Sequence, residues 1–311
     1  MWIGTLVFAV CAGAENTTAY LFSYFTGNGE DGLHLATSDD GYRWEALNQG
    51  KPLLAPRVGK HKLMRDPCLI QTPDGTFHLV WTTSWEDNGI GYAHSKNLKD
   101  WSEQQFFPVM AYEPTVRNTW APEIFHDAAR TRFLLFWSST IPGRFPETED
   151  AGDAGHNHRM YFTVTTDLKN FTAPGAKDGA SSALFFNDGF NVIDGTVVKD
   201  GNVYILFLKD ETLKPPKKNI RMATATNPEG PWSAASPPIT GSYWAEGPTA
   251  IRINGKMHVY FDKYMEGKYG VVVSQDLKTW SEESDKLRMP EGMRHGSVLE
   301  VAPEIIAAIQ N

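Results

Sequence analysis

Short apolar stretches alternate with polar turns along the whole chain, and no apolar run is long enough to span a bilayer. Four segments share one plan: "RDPCLIQTPDGTFHLVWTT", "APEIFHDAARTRFLLFWSS", "IDGTVVKDGNVYILFLKD" and "EGPTAIRINGKMHVYFDK". Each carries an acidic residue beside Pro or Gly near its start, continues as an apolar strand, turns tightly and returns as a longer apolar strand. Asp74-Gly75, Asp200-Gly201 and Asn254-Gly255 provide the residue types that tight hairpin turns require.

A second series interleaves with these hairpins. "SDDGYRW", "SKNLKDW", "TTDLKNF", "TNPEGPW" and "SQDLKTW" each follow a β-like stretch and end on an aromatic residue, at Trp44, Trp101, Phe171, Trp232 and Trp280. Self-similarity at such intervals marks a repeat architecture. One unit reads as a four-stranded blade ending at the aromatic marker. "RHGSVLEV" near the C-terminus is a first strand with nothing after it, and "AYLFSYFTGNGEDGLHLATSDDGYRW" near the N-terminus is a blade without its first strand. Joining them makes a fifth blade and removes the free sheet edges. The predicted fold class is all-β: a single five-bladed β-propeller over residues 15–311, its ring closed by pairing strands from the two chain ends. A β-sandwich would leave the repeat as an accident.

Composition narrows the function. The chain has 311 residues, 41% of them hydrophobic and 12% aromatic, enough for a sizeable core. A formal net charge of −8 excludes a phosphate-tracking nucleic-acid binder, which needs a basic stripe. Residues 1–14 read as a signal peptide ending in Ala12-Gly13-Ala14, although no Lys or Arg precedes the apolar run. That reading predicts a secreted or periplasmic protein in which Cys68 is the remaining cysteine and no intrachain disulfide can form. Nothing in the pattern specifies an oligomeric state.

In a propeller the first strand of each blade lines the central axis, so the residues that open those strands converge. Here they are Asp66, Glu123, Asp194, Glu246 and His295. Singly, each is an ordinary strand-boundary residue. Together, carboxylates around one axis repel each other, a cost associated with function. Glycoside hydrolysis fits: one carboxylic acid protonates the leaving oxygen, and an ionised one activates water or attacks carbon. A third carboxylate can raise the acid's pKa through repulsion. Arg65, Trp85, Trp120, Phe190 and Arg294 would offer aromatic faces and donors to a sugar, with Glu123 as a further substrate-binding group.

"MRDPCL", "NTWAPEIF", "NVIDGTVV", "YWAEGPTA" and "MRHGSV", in that order, resemble glycoside hydrolase family 43 across nearly the whole mature chain. The resemblance implies a five-bladed propeller that inverts anomeric configuration on arabinofuranosides, xylosides, arabinans or galactans. It implies that Asp66 is the general base, Asp194 the group that tunes and orients the acid, and Glu246 the general acid. It places Trp120 and Arg294 against the sugar. His295 matches a histidine near a structural calcium or other ion, often held through water; no cofactor is otherwise required. Asp66 departs from the family pattern in following a full three-strand segment. An α-L-arabinofuranosidase or β-xylosidase acting from chain ends on plant-type side chains is the leading expectation.

Two alternatives stay open. "RDP" also occurs in retaining fructan- and sucrose-cleaving propellers, although this chain has no Asn-Asp-Pro and carries "EGP" instead of "EC" at the acid. A non-catalytic carbohydrate-binding propeller would use the same funnel. Elsewhere, the acidic loop over residues 142–158 reads as a wall of the pocket. Binding a cation through Asp150 and Asp153, or zinc through His156 and His158, is a weaker reading of it. "KDETLKPPKKN" reads as a rim loop, with Lys209 in a surface ion pair or reaching substrate hydroxyls.

Overall fold

A computed structural model describes residues 18–173 and 180–310. The expected leader over residues 1–14 lies outside the described residues. The strands form five separate antiparallel sheets. One contains β1 (Ala19–Phe25), β2 (His34–Ser38) and β3 (Glu45–Ala46), with β19 (Arg294–Val301) added on its inner side. The second contains β4 (Arg65–Gln71), β5 (Phe77–Thr82), β6 (Ile90–Ser95) and β7 (Gln105–Phe107). The third contains β8 (Trp120–Asp127), β9 (Arg132–Thr140), β10 (His158–Thr165) and β11 (Ala183–Phe186). The fourth contains β12 (Val192–Asp200), β13 (Val203–Asp210) and β14 (Asn219–Ala225). The fifth contains β15 (Glu246–Ile253), β16 (Lys256–Lys263), β17 (Lys268–Ser274) and β18 (Ser281–Glu282). This is the five-bladed propeller, closed where β1 pairs with β19 from Ala19↔Val301 to Phe25↔Arg294.

The hairpin turns form where the sequence places them. At Asn254-Gly255 both residues have positive φ, 48° and 77°, and Ile253 pairs directly with Lys256 across the two-residue loop. The aromatic repeat has a different position from the one predicted. It does not end a blade; it turns the chain from the third strand into the fourth. Ser38, Ser95, Thr165 and Ser274 each accept the backbone N–H three residues on, at 2.9 Å. Asp40, Asn97, Asp167 and Asp276 repeat the device with a backbone N–H three residues further along, at 2.8–2.9 Å. Four of the five blades share this turn, and its recurrence in the sequence follows from that.

The fourth blade breaks the expected four-strand plan. After β14 the chain contains Pro231, Pro237 and Pro238, which cannot donate to a ladder. The stretch still covers the edge: backbone N–H groups of Ser233, Ser236 and Ile239 donate to the carbonyls of Thr224, Met222 and Ile220. In return the side-chain hydroxyls of Ser233, Ser236 and Thr240 accept from the N–H groups of Thr224, Met222 and Ile220.

The core lies between blades. Cys68, Val80 and Tyr92 of the second sheet pack on Ile124, Leu135 and Trp137 of the third, and four similar clusters fill the other junctions. Burying each large side chain contributes about 1.5–3 kcal/mol, so inter-blade packing holds the inner strands at fixed angles. A short helix, α1 (Pro303–Gln310), follows β19 and buries Ile306 and Ile309 in the cluster between the first two sheets.

Candidate active site

Each inner strand carries a one-residue bulge just where it opens. Two residues of the inner strand oppose one of its partner between Arg65 and Cys68, Trp120 and Glu123, Ile193 and Thr196, Glu246 and Thr249, and Arg294 and Ser297. The first bulge residue has positive φ in four strands: Asp66 (50°), Ala121 (46°), Asp194 (52°) and Gly247 (60°). The second is Pro or Gly in every strand, at Pro67, Pro122, Gly195, Pro248 and Gly296. A proline costs nothing where a bulge has already interrupted the ladder. Non-glycine residues held at positive φ concentrate at functional sites.

The bulges sort the inner side chains into tiers. Arg65, Trp120, Ile193, Glu246 and Arg294 precede the bulge; Asp66, Asp194 and His295 occupy its first position. All of these line one cavity of about 380 Å³. Cys68, Glu123, Thr196, Thr249 and Ser297 follow the bulge and line another cavity, which runs along the later residues of the inner strands. The structure therefore brings Asp66, Asp194, Glu246 and His295 together and separates Glu123 from them. Glu123 does not line the acidic cavity, so a direct substrate contact there is corrected: it sits a tier away and accepts from Thr196 Oγ1 at 2.9 Å. Phe190 is also displaced from the expected position. It packs on Phe186 beneath the Arg221 guanidinium, away from the cavity.

The remaining expected residues are present. Trp85 and Trp120 form an edge-to-face pair 5.5 Å apart, fixed by donation from Trp120 Nε1 to the Trp85 carbonyl. Arg65 lies 4.3 Å over the Trp85 ring and donates to Asn28 Oδ1.

Asp66 Oδ1 lies 3.2 Å from His295 Nδ1, and its Oδ2 accepts from Thr82 Oγ1 at 2.8 Å. Burial pushes Asp66 upward, but the His295 partner and the Arg65 charge outweigh it and hold the carboxyl down at about 2. Burial likewise opposes the charge on His295, yet Asp66 and its fellow carboxylates raise it to about 9. Asp194 accepts the Gly247 backbone N–H at 3.0 Å. Its carboxyl is lifted to about 6 by burial, with Glu246 and Asp66 adding repulsion and His295 and Lys209 opposing.

Glu246 is gripped from both sides. Lys209 Nζ donates to Oε2 and Arg294 Nη2 to Oε1, each at 3.0 Å. Burial raises its pKa, and the two cations more than offset that, leaving it below the ordinary range. Lys209 is not on the surface: it is 1% exposed, lines the acidic cavity and also meets Glu211 at 2.6 Å. Glu211 in turn meets Lys218, and Arg294 meets Asp262. The sequence signal for Lys209 was its place in the apolar run "VYILFLKD", one strand away from Asp194.

His295, the histidine implied as the neighbour of a water-held ion, lines the acidic cavity. Its Nδ1 is committed to Asp66, its proton is retained to about pH 9, and among the described residues no three His, Cys, Asp or Glu side chains converge as a metal site. An internal imidazolium supplies positive charge amid the carboxylates.

A family model described as "Probable glycosyl hydrolase domain", related to family 43, matches residues 15–305. An α-L-arabinofuranosidase of Bifidobacterium longum is 22% identical over 210 residues, 59% of this chain but 18% of that protein's length. Among solved structures, an α-L-arabinofuranosidase of Lactobacillus brevis aligns over 71% of this chain and 72% of its own, at 17% identity and a TM-score of 0.52. An exo-β-1,3-galactanase of Phanerochaete chrysosporium, solved with β-1,3-galactotriose, aligns over 74% of this chain and 51% of its own, at 12% identity and a TM-score of 0.55. These structures share the fold. The chain belongs to the family 43-related glycosyl hydrolases.

Proposed function

We propose that the protein is an inverting, exo-acting glycosidase that removes terminal sugars from plant-type polysaccharide or oligosaccharide side chains, with α-L-arabinofuranosyl groups the first candidate and β-xylosyl the next. The observation that carries this reading is that Asp66, Asp194 and Glu246 line one cavity, each with different partners: His295 and Thr82 on Asp66, the Gly247 N–H on Asp194, and Lys209 and Arg294 on Glu246. These partners hold Asp66 low, while burial and neighbouring carboxylates lift Asp194. The apolar N-terminal stretch supports export, whether secreted or periplasmic.

In this reading Asp66 takes a proton from water, whose oxygen attacks the anomeric carbon as the glycosidic C–O bond breaks. Glu246 gives its proton to the leaving oxygen. In the free protein burial and repulsion from Glu246 favour a proton on Asp194, while the Lys209 and Arg294 cations favour the charged form of Glu246. Sugar hydroxyls that compete for Lys209 and Arg294 loosen that hold and let the proton pass to Glu246. Solvent then removes the proton from Asp66 and recharges the acid pair.

Aryl arabinofuranosides, xylosides and galactosides offered to wild type, Asp66→Ala and Glu246→Ala test the proposal. Each variant should fold and lose turnover by about 10²–10⁴-fold. Full activity in either defeats the assignment.

A further inference from the structure

Glu246 and Asp262 stand directly opposite each other across β15 and β16, two acids in register. Like charges in that relation are destabilising. Arg294, reaching in from β19, forks between them: Nη2 donates to Glu246 Oε1 at 3.0 Å and Nε donates to Asp262. The other oxygen of Glu246 meets the same arrangement built from different residues. Lys209 Nζ lies 3.0 Å from Glu246 Oε2 and 2.6 Å from Glu211 Oε2. Glu211 is fixed just past β13 by its backbone N–H, which donates to the Asn191 carbonyl at 2.7 Å.

Five charges therefore alternate in sign: Glu211, Lys209, Glu246, Arg294 and Asp262. Lys218 continues the series beyond Glu211 and meets Asp153 at 3.5 Å. Glu211, Lys209, Lys218 and Asp262 are all buried. Buried ion pairs commonly contribute no more stability than apolar residues of similar volume would. Folding alone does not account for two extra acids here.

The chemistry of the acid does. An opposite charge within about 4–6 Å lowers a carboxyl's pKa by about 1–3 units. Two cations acting on Glu246 alone would leave it ionised, with no proton to give. Here each cation is shared with a second carboxylate. The remaining charged groups around Glu246 are Asp194 from β12, Asp66 and Arg65 from β4 and His295 from β19, all on its cavity. Tyr264 and Tyr269 are also near, and burial raises both phenols, which keeps them neutral.

We propose that Glu211 and Asp262 are positioning residues that share Lys209 and Arg294 with Glu246, weakening each cation's hold so that Glu246 can carry a proton during hydrolysis. This inference rests on the glycosidase reading above. Removing either outer negative charge leaves its cation acting on Glu246 alone, so the Glu246 proton is lost at lower pH. The sign is opposite to that of removing Lys209.

The test is the pH dependence of kcat/KM, on whichever aryl glycoside wild type hydrolyses, for Glu211→Gln and Asp262→Asn. Each should move the alkaline limb downward by about 0.5–1 unit, a loss of about 3–10-fold at pH 7. Glu211→Asp and Asp262→Glu keep the charge and should keep the limb, even where kcat falls. A limb that stays put or moves upward in the neutral variants overturns the proposal, since a merely structural role predicts one or the other. An equal downward shift in the charge-conserving variants overturns it too. Failure of both neutral variants to fold would assign the two acids to stability and overturn it as well. Carboxyl ¹³C NMR of labelled Glu reads the same titration without turnover, the Glu246 signal being the one lost in Glu246→Gln. A downward shift there, in a protein that hydrolyses nothing, upholds the charge sharing and defeats the glycosidase reading alone. No shift there defeats the charge sharing alone.

Discussion

Lys209, buried in the outer strand of its hairpin, holds the Oε2 of Glu246 at 3.0 Å. A cation on that carboxylate stabilises its charged form, so removing the cation raises its pKa. In wild type, kcat/KM should fall as pH rises through about 6, where the Asp194–Glu246 pair loses its proton. In Lys209→Met that limb should move upward by about 1–3 units. Taking one of two cations from each of Glu246 and Glu211 should also destabilise the fold, with Arg294 and Lys218 left as their partners. A pH–rate profile with an unmoved alkaline limb contradicts this role.

Glu123 makes a prediction of the opposite kind, about stability and not about turnover. Burial raises its carboxyl to about 7, against an ordinary 4.5. A raised acid contributes stability that is complete below pH 4.5 and is lost as pH rises through about 7. Glu123→Gln removes that loss. Denaturant unfolding of both proteins from pH 4.5 to about 8 should show the variant gaining ~3 kcal/mol relative to wild type. Hydrolysis of small glycosides should be unchanged. A constant stability difference across that range contradicts the buried-acid account.

Gly247 links the acid to the base. Its φ is +60°, and a Cβ there would lie 2.3 Å from the ring of His295, the partner of Asp66. Gly247→Ala should cost about 1–3 kcal/mol in backbone strain alone. By pushing the imidazole it should also displace Asp66 and lower kcat on the order of 10²-fold. Wild-type kinetics in this variant would show that the His295 position is unimportant.

Much of the scaffold was legible because its determinants are local. Asp200-Gly201 and Asn254-Gly255 specify turns without help from the rest of the chain, and repeated hairpins with orphan strands at both ends leave few architectures other than a closed ring. That Asp66, Asp194 and His295 meet at one cavity was legible for the same reason, since each precedes the Pro or Gly of a bulge. The bulge itself was not legible, because it is a matter of cross-strand register. Glu246 stands one residue before its bulge and Glu123 stands two past the position of Asp66, so equal spacing along the chain placed them on different tiers. Lys209 was misjudged because a lysine at a strand end reads as solvated; only the acids contributed by other strands make its burial affordable. The aromatic repeat was seen but misplaced, since its turn function depends on side-chain bonds to backbone that a pattern of residue types does not display.

The central claim is that Asp66 activates water against a sugar whose leaving oxygen is protonated by Glu246, in a single displacement. Proton NMR during the first minutes of hydrolysis of an aryl α-L-arabinofuranoside, before mutarotation, reads the configuration of the newborn product. β-L-arabinose as the first-formed anomer is the result this account predicts; α-L-arabinose appearing first would contradict it.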